Sequence, residues 1–426
     1  MEIGALKVFP QSSQPVRIFV PLSVRTKLQV PNRLRRGHLI KGDDIMFSNL
    51  KKSGVPLALA ICMGSASFAQ DAELPDTVSW TAYNVGSSGY GQSVAIGKAL
   101  QDAYGVTLRV VPAKNDVSRV LPVMSGQIDF SAAGSGVFYA VEGVLGWAKP
   151  ELGPQQLQMV MSSTGRNCLA LGTAADANIN TAADLRGKRL PWVIGSPALQ
   201  TNVTAFLAYG GLTWDDVTKV EVGGFDEAWK AILNNQADAM TSFTSGGGTE
   251  LDASPRGLHW LSTPHSETEN WERMQAVAPH MAKRIATFGT NLSADNPLEC
   301  GGFPYPILVT SPDRESDLVM NMAKGITEQF DSFVSAEPAA GGWAKERQNF
   351  QWVLPYHAGA VAFWKSEGLW SDADEAHNQN LLNRQAVIAA AWEGLEDKSE
   401  DGFQERWMAA RFQALTDAGM PAVWDK

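Results

Sequence analysis

The sequence predicts an α/β protein with two lobes and a hinge, each lobe built on a mainly parallel sheet flanked by helices. Three observations support this. Stretches that alternate like β-strands are followed by stretches with the spacing of amphipathic helices. Loops rich in glycine and serine lie between the two kinds of stretch. The same succession then returns 109 residues further along the chain.

The first strand and helix flank a glycine- and serine-rich loop. Residues 78–83 alternate between apolar and polar side chains, as in a strand with one buried face. The loop 83–91, YNVGSSGYG, follows, and Ile96, Leu100 and Ala103 then lie on one face of a helix. A second strand pattern at 106–110 completes a strand–helix–strand unit, which is typical of α/β sheets.

The internal repeat has a constant offset. The dipeptide GS at 86–87 is matched by GS at 195–196, and QID at 127–129 is matched by QAD at 236–238. Matches this short can also arise by chance. If they reflect two lobes with one plan, each lobe directs a Gly/Ser loop and a helix N-terminus towards a common cleft. Helix N-termini carry unpaired N–H groups and therefore bind anions, so the pattern predicts a site for a small anion.

The loop 83–91 does not fit the enzyme motifs that it partly resembles. A P-loop requires four residues between its glycines and a Ser or Thr after the lysine, whereas Gly91 and Gly97 are separated by five residues and Ala99 follows Lys98. The G-x-G-x-x-G order of dinucleotide sites is absent, and Tyr90 stands where a hydrolase elbow needs glycine. Binding without chemistry is therefore the leading class, with no cofactor and no metal expected.

The N-terminal 69 residues differ from the rest of the chain. Residues 46–69 have the three parts of a secretory signal: Lys51 and Lys52, an apolar core, and a small-x-small site ending at Ala69. We interpret 1–45 as a spurious upstream start and 1–69 as absent from the mature protein. No direct lipid anchor is expected, because bulky Ile61 precedes the cysteine at position 62.

Charge and cysteine content restrict the function further. Removing residues 1–69, which hold 10 basic and 3 acidic residues, leaves 25 basic and 42 acidic residues, a net charge of −17. A surface this acidic argues against binding nucleic acid. Only Cys168 and Cys300 remain, and in an oxidising compartment they are interpreted as one disulfide, with two buried thiols as the alternative.

Four stretches together resemble the TAXI-type solute receptors of TRAP transporters. They are NVGSSGYGQSVAIGKAL (84–100), SGQIDFSAAGSGVFYAVEG (125–143), DLRGKRLPWVIGSPALQTN (184–202) and PYHAGAVAFWKSEGLW (355–370). The resemblance implies a periplasmic-binding-protein type II fold that closes on its solute. It implies that the protein acts in the periplasm, where it captures a small carboxylated solute and delivers it to a TRAP-type membrane permease driven by an ion gradient.

The sequence departs from this family in three places. Ser196, Pro197 and Ala198 stand where the family usually has a glycine–serine–glycine run. The segment 265–300 is longer than expected, and the tail after 381 extends the pattern.

The predicted organisation has four parts. The first lobe comprises 76–163 and 303–380, the second comprises 164–302, and C-terminal helices in 381–426 pack on the lobes. Cys168 and Cys300 then lie at the two ends of the second lobe, next to the hinge, and His357 is expected to have a structural role near the hinge.

Candidate solute contacts lie in the loops that end strands and begin helices. Hydroxyl and amide side chains there can bond a carboxylate, arginine can pair with it bidentately, and aromatic residues can cover an apolar part of the solute. Each also has a structural alternative as a helix cap, a core residue or a solvated surface charge. The candidates are Asn84, Ser87, Ser88, Tyr90, Asn115, Arg119, Ser135, Tyr139, Arg166, Trp192, Ser196, Gln200, Thr201, Phe225 and Ser245.

Two other functions stay open at this point. A receptor for an ATP-driven importer has the same two-lobed plan and differs in its membrane partner. A periplasmic serine hydrolase using Ser87 or Ser88 is the alternative from another class, although no motif brings a base to either hydroxyl.

Overall fold

The computed structural model of the chain describes residues 72–424. The predicted signal and upstream segment, 1–69, lie outside the described residues. Within them the chain forms a mixed α/β structure whose sheets are flanked by helices. The strands are β1 (Thr77–Ala82), β2 (Thr107–Pro112), β3 (Phe130–Ala133), β4 (Gln158–Ser162), β5 (Leu169–Ala174), β6 (Arg189–Val193), β7 (Thr218–Val222), β8 (Ala239–Phe243), β9 (Leu258–Leu261), β10 (Ala282–Ala286), β11 (Leu298–Gly302) and β12 (Ile307–Thr310).

The helices connect these strands and extend beyond them at the C-terminal end. They are α1 (Ser88–Tyr104), α2 (Asp116–Met124), α3 (Gly136–Glu142), α4 (Pro197–Tyr209), α5 (Phe225–Leu233), α6 (Thr249–Asp252), α7 (Thr268–Val277), α8 (Ser316–Glu328), α9 (Phe330–Ala336), α10 (Ala358–Ser366), α11 (Asp372–Glu393) and α12 (Phe403–Asp417). None of the described helices is long and apolar enough to cross a membrane.

The first lobe is built on a five-stranded sheet with the order β2-β1-β3-β12-β4. β1 pairs in parallel with β2 and β3, because α1 and α2 carry the chain back across the sheet between these strands. β12 returns from the second lobe and runs antiparallel to β3 and β4. The carboxyl ends of β1, β2 and β3 therefore lie at one edge, where the loops that precede α1, α2 and α3 begin.

The second lobe contains two sheets. One has the order β10-β11-β5-β8, with β9 also paired to β5, and the other is the parallel pair β6-β7. The start of β8 lies beside β6, since the Asp238 N–H donates to the Arg189 carbonyl at 2.9 Å. The helices α4 and α5 follow β6 and β7, as in the first lobe.

The prediction of a mainly parallel sheet is wrong for the second lobe. All the pairings in the sheet that contains β5 are antiparallel. β10 and β11 are joined without a helical crossover, and strands connected in this way pair antiparallel. The segment 265–300, for which the sequence offered no counterpart, forms α7, β10 and part of β11.

A disulfide bond links the points where the chain enters and leaves the second lobe. Cys168, which precedes β5, forms a disulfide with Cys300 in β11, and their Cα atoms are 6.2 Å apart. The predicted pairing is therefore present. The strands between residues 77 and 162, together with the strand 307–310, form one sheet, and the strands between residues 169 and 302 form the other two. The limits of the lobes at 163/164 and 302/303 stay a prediction.

The last two helices pack together on the first lobe. Arg384 of α11 and Arg411 of α12 both pair with the buried carboxylate of Glu142 at the end of α3. Trp407 of α12 donates its indole N–H to the Gly143 carbonyl at 2.6 Å. α11 begins at Asp372, nine residues before the position at which the C-terminal region was expected to begin.

Candidate solute-binding site

A cavity lies between the two lobes at the carboxyl ends of their strands. Its volume is about 60 Å³, counted as the positions that the centre of a water molecule can occupy. One water needs roughly 10–15 Å³ on this measure, so the cavity has room for a small organic molecule. Its wall is formed by Tyr83, Asn84, Ser87, Ser88, Lys114, Asp116, Arg119, Ser135, Leu169, Ser196, Ala198, Leu199, Asn202, Phe225, Thr241, Ser242, Phe243, Gly246, Phe303 and Tyr305.

The first lobe contributes the start of α1. Gly86 has a φ of 90°, which favours glycine and lets the chain turn sharply from β1 into the helix. Ser87 is the N-cap, and its Oγ accepts a hydrogen bond from the Tyr90 N–H at 3.2 Å and donates to the Asn84 carbonyl at 2.8 Å. The hydroxyl of Ser88 lies 3.2 Å from that of Ser245 in the second lobe. This loop therefore reaches across the cleft.

The second lobe contributes the start of α4 in a different way. Gly195 has a φ of 71°, so the turn after β6 matches the turn after β1. The Ser196 side chain makes no capping bond, and Pro197 occupies the first turn, where its missing N–H costs nothing. The next N–H, of Ala198, donates to Asp116 Oδ2 at 3.0 Å. A carboxylate from the first lobe thus caps a helix of the second.

Asp116 belongs to a buried ion pair in the cavity wall. Its other oxygen pairs with Arg119, one turn further along α2, and both side chains are almost fully buried. The Arg119 guanidinium lies 3.8 Å from the centre of the Tyr83 ring and also donates to the Ala113 carbonyl at 3.1 Å. Because the two charges compensate each other, neither is free to balance a charged solute by itself.

Lys114 supplies the remaining charge of the wall. It follows β2, its side chain is exposed at the cavity, and it has no ion-pair partner within 72–424.

The two tyrosines of the wall add no charge. Burial raises the pKa of Tyr83 to about 12, against the opposing effect of the nearby Arg119 guanidinium. Burial also raises the pKa of Tyr305 above its ordinary value, so both phenols are neutral near pH 7. The charged wall residues are then Lys114, Arg119 and Asp116, and their sum is +1.

Three buried polar groups of the wall have no hydrogen-bond partner. They are the hydroxyls of Ser135 and Thr241 and the side-chain oxygen of Asn202. Nearly all buried polar groups in folded proteins are bonded, so unpaired groups that line one cavity indicate positions for a polar ligand. Ser135 comes from the first lobe, and Asn202 and Thr241 come from the second.

Aromatic rings form the apolar part of the cavity. Phe243 stacks on Tyr305 with ring centres 4.2 Å apart, and Phe303 meets Phe243 edge-on at 5.3 Å. Tyr83 packs against Tyr305 at 5.4 Å. Phe303 and Tyr305 lie between β11 and β12, where the chain returns to the first lobe. These rings can cover an apolar portion of a solute while the hydroxyls and amides orient its polar end.

The structure brings seven of the fifteen sequence candidates into the wall. They share positions in the loops and helix starts at the cleft: Asn84, Ser87, Ser88, Arg119, Ser135, Ser196 and Phe225. Contact between these residues and a solute stays a prediction.

Four candidates from the second lobe and the crossover lie outside the wall. Arg166 is exposed, and its nearest ring contact is Phe288 at 5.8 Å. Trp192 packs against Trp214 at 5.0 Å, because the alternation of β6 turns it away from the cleft. The Gln200 side chain turns back to the Val193 carbonyl at 2.8 Å. Thr201 is buried within α4.

The other four lie next to the wall without lining it. Asn115 caps α2 through the Ser118 N–H at 2.9 Å, which is the structural alternative stated for it. Tyr139 is fully buried in α3, and Tyr90 is half-buried in the first turn of α1. Ser245 accepts a hydrogen bond from Asn167 at 2.7 Å and meets Ser88.

Sequence reasoning missed most of the second lobe's wall and the return segment. Lys114 and Asp116, which line the cavity, flank the candidate Asn115, so the loop was identified and its two lining residues were missed. Thr241, Ser242 and Phe243 end β8, and they lie at the 109-residue offset from the end of β3, which was an available signal. Phe303 and Tyr305 carry no local signal, because only the fold brings the return segment to the cleft.

The fold and the cavity define a two-lobed α/β protein with a partly open cavity between its lobes. A family model for the NMT1-like family matches residues 81–368, which is more than half of the chain. The chain belongs to the NMT1-like family. No curated protein matches it in sequence.

Several solved structures resemble the chain at low identity. An ancestral arginine-binding protein bound to arginine is 14% identical, with 62% of this chain and 99% of that chain covered and a TM-score of 0.40. The periplasmic aliphatic sulphonate binding protein SsuA from Escherichia coli is 14% identical, with 80% and 100% covered and a TM-score of 0.40. A putative L-cystine ABC transporter from Listeria monocytogenes is 11% identical, with 65% and 100% covered and a TM-score of 0.41. At these TM-scores the likeness carries no argument about this chain.

Proposed function

We propose that this protein is an extracytoplasmic solute receptor that captures a small carboxylated solute between its lobes and delivers it to a membrane permease. The observation that carries the proposal is a cavity enclosed by both lobes whose wall has a net charge of +1 in a chain whose net charge is −10. One carboxylate on the solute balances that charge. Lys114, which has no ion-pair partner within 72–424, can pair with that carboxylate.

The rest of the wall supports the same proposal. The unpaired groups of Ser135, Thr241 and Asn202 provide hydrogen-bonding positions on both lobes, so a solute that satisfies them holds the lobes together. The stacked rings of Phe243 and Tyr305 favour a solute with an apolar body. Amino acids, keto acids and aromatic acids all combine these features.

Neither loop serine has the partners of a catalytic nucleophile. The Ser87 hydroxyl is engaged as a helix cap, and the Ser88 hydroxyl accepts from Gln92 Nε2 at 3.0 Å and meets Ser245. None of these partners can take up a proton as a base does. Their geometry supports solute binding rather than the hydrolase alternative.

The membrane partner is proposed to be a TRAP-type permease, on the resemblance of the four sequence stretches. A receptor of an ATP-driven importer is the second candidate, and the cavity is compatible with either. Identifying the membrane proteins that are encoded beside this chain, and testing which of them co-purifies with it, decides between the two. A many-span permease supports the first, and an ATPase subunit with its membrane partner supports the second.

Export to the periplasm is proposed from the signal pattern at 46–69, and the Cys168–Cys300 disulfide fits an oxidising compartment. N-terminal sequencing of the protein recovered from the periplasmic fraction tests this proposal. We expect the mature chain to begin at Gln70. A protein that stays in the cytoplasm with its first 69 residues attached contradicts it.

A thermal-shift screen of the purified protein tests the binding function. The panel contains amino acids, keto acids and aromatic acids, each with the primary amide that lacks the carboxylate charge. A solute that binds only the folded protein at 100 times its Kd adds about 2.7 kcal/mol to the free energy of unfolding. We expect acids to raise the melting temperature, amides to have little effect, and each bound acid to be recovered unchanged.

Two lysine variants serve as target and control. Lys114→Ala removes the uncompensated positive charge from the wall and should abolish the shift. Lys98→Ala removes the same charge from an exposed position on α1, ten residues or roughly 15 Å from Ser88 along the helix, and should preserve it. No shift with any acid, or a bound acid that is consumed, contradicts the proposed function.

A further inference from the structure

We infer that Asp116 limits the solute to a single carboxylate group, an inference that rests on the proposed capture of a carboxylated solute. The side chain lies in the cavity wall and is only 2% exposed. It carries the single negative charge among the wall residues that the structure describes. A second carboxylate on the solute would therefore meet a fixed negative charge instead of a cation.

The contacts of Asp116 prevent it from moving away from such a solute. One oxygen pairs with Arg119 of its own helix, and the other accepts the Ala198 N–H of the opposite lobe at 3.0 Å. Gly136 packs against the same carboxylate so closely that a Cβ there would lie 2.5 Å from its Cγ. Three elements thus hold the group in place when the lobes are closed, and repulsion cannot be relieved by rotating the side chain.

The net charge of the wall determines how many carboxylates the cavity can neutralise. With Asp116 the sum of Lys114, Arg119 and Asp116 is +1, which one carboxylate neutralises. Without the Asp116 charge the sum is +2, which two carboxylates neutralise. Specificity is a difference between two binding free energies, and a repulsive group in the site is one way to produce it. Asp116 excludes dianions in this way, and Lys114 attracts the one carboxylate that is accepted.

Calorimetric titration of the purified full-length protein with matched pairs of acids tests the inference. The pairs are butanoate with succinate, hexanoate with adipate, and benzoate with phthalate. In the wild-type protein we expect each monocarboxylate that binds to do so about tenfold or more tightly than its dicarboxylate, because like charges repel strongly in a poorly solvated site. This comparison needs no variant, so it does not depend on how a substitution affects folding.

The variant Asp116→Asn then identifies the residue responsible. Asparagine keeps the shape and an oxygen that accepts the Ala198 N–H, and it removes the charge. We expect affinity for the dicarboxylates to rise about tenfold or more relative to wild type. Asp102→Asn is the control, because Asp102 is exposed on α1, fourteen residues or roughly 21 Å beyond Ser88, and should change nothing.

The outcomes separate this inference from the proposed function. Wild-type protein that binds dicarboxylates as tightly as monocarboxylates overturns the inference and leaves a carboxylate receptor in place. The same conclusion follows if a folded Asp116→Asn protein, judged by its melting transition, still rejects dicarboxylates. Wild-type protein that binds none of the acids in these pairs or in the screen overturns the proposed function, and the inference with it.

Discussion

The two lobes begin their binding helices with nearly the same three residues, and they hold those helices differently. Residues 85–87 read Val-Gly-Ser and residues 194–196 read Ile-Gly-Ser, and both glycines have a positive φ. In the first lobe Ser87 caps its own helix. In the second lobe the Ser196 side chain makes no cap, and the carboxylate of Asp116 in the first lobe accepts the Ala198 N–H instead.

This difference concerns how each helix start is satisfied. The cap of α1 is local to the first lobe. The Ala198 N–H at the start of α4 is bonded to Asp116 of the other lobe. A repeated sequence pattern therefore predicts where two helices start, and it does not predict how each start is satisfied.

The largest expected effect on stability comes from removing the disulfide of the second lobe, which has no equivalent in the first. In the chain-entropy model the Cys168–Cys300 disulfide, with a sequence separation of 132, contributes about 5 kcal/mol to the free energy of unfolding. We expect a Cys168→Ala/Cys300→Ala protein to lose stability of that order in urea unfolding. Reductant should destabilise wild-type protein and leave the variant unchanged. A variant as stable as wild type would show that the tie is dispensable.

The next effect comes from removing the shared cap. Asp116→Ala leaves Arg119 buried without its counter-ion and Ala198 without its acceptor, and breaking a buried pair in this way costs about 3 kcal/mol or more. Urea unfolding measures the loss, and small-angle scattering should show a larger radius of gyration if the lobes open. Ser196→Ala is the matched control on the same helix start. If Asp116→Ala and Ser196→Ala lowered the free energy of unfolding equally, the claim that Asp116 rather than Ser196 caps α4 would be contradicted.

A smaller effect depends on pH and tests another contact between the lobes. His280 of the second lobe packs on Phe138 and Tyr139 of the first, and burial lowers its pKa to about 3. In the unfolded chain His280 takes up a proton as the pH falls below its ordinary pKa of about 6.5, whereas in the folded chain it stays neutral until the pH approaches 3. The contribution of neutral His280 to the free energy of unfolding is therefore present above pH 6.5 and is lost as the pH falls towards 3.

The measurement is urea unfolding between pH 7 and 4. His280 alone should lower the free energy of unfolding by about 1.4 kcal/mol per pH unit within this window. His280→Leu removes the titrating group, so wild-type protein should lose stability relative to the variant as the pH falls. A pH dependence that is the same in both proteins would mean that His280 titrates as it does in the unfolded chain.

The smallest effect compares the two serines directly. Ser87→Ala removes an N-cap, which costs about 1 kcal/mol in proteins, whereas Ser196→Ala removes a side chain that caps nothing. We expect a stability loss of about 1 kcal/mol for the first and close to none for the second, measured by thermal unfolding. A larger loss at Ser196 would contradict the geometry of the α4 start.

The parts that the sequence predicted are those set by local patterns. The strand–helix alternation and the Gly/Ser loops predicted α1 and α4, and the structure has a glycine with a positive φ, Gly86 or Gly195, before each helix. The antiparallel course of β5 was missed, because the direction of a strand depends on partners far along the chain. The Asp116–Ala198 contact was missed for the same reason, since 82 residues separate its two groups.

The central claim is that the cavity selects a carboxylate by charge, and one comparison tests it most directly. Calorimetry measures the affinity of wild-type protein for the acid that gives the largest thermal shift and for the amide of the same acid. The two molecules have nearly the same size and differ by one negative charge. The account predicts that the acid binds about tenfold or more tightly than the amide, which is at least about 1.4 kcal/mol. An amide that binds as tightly as its acid would contradict it.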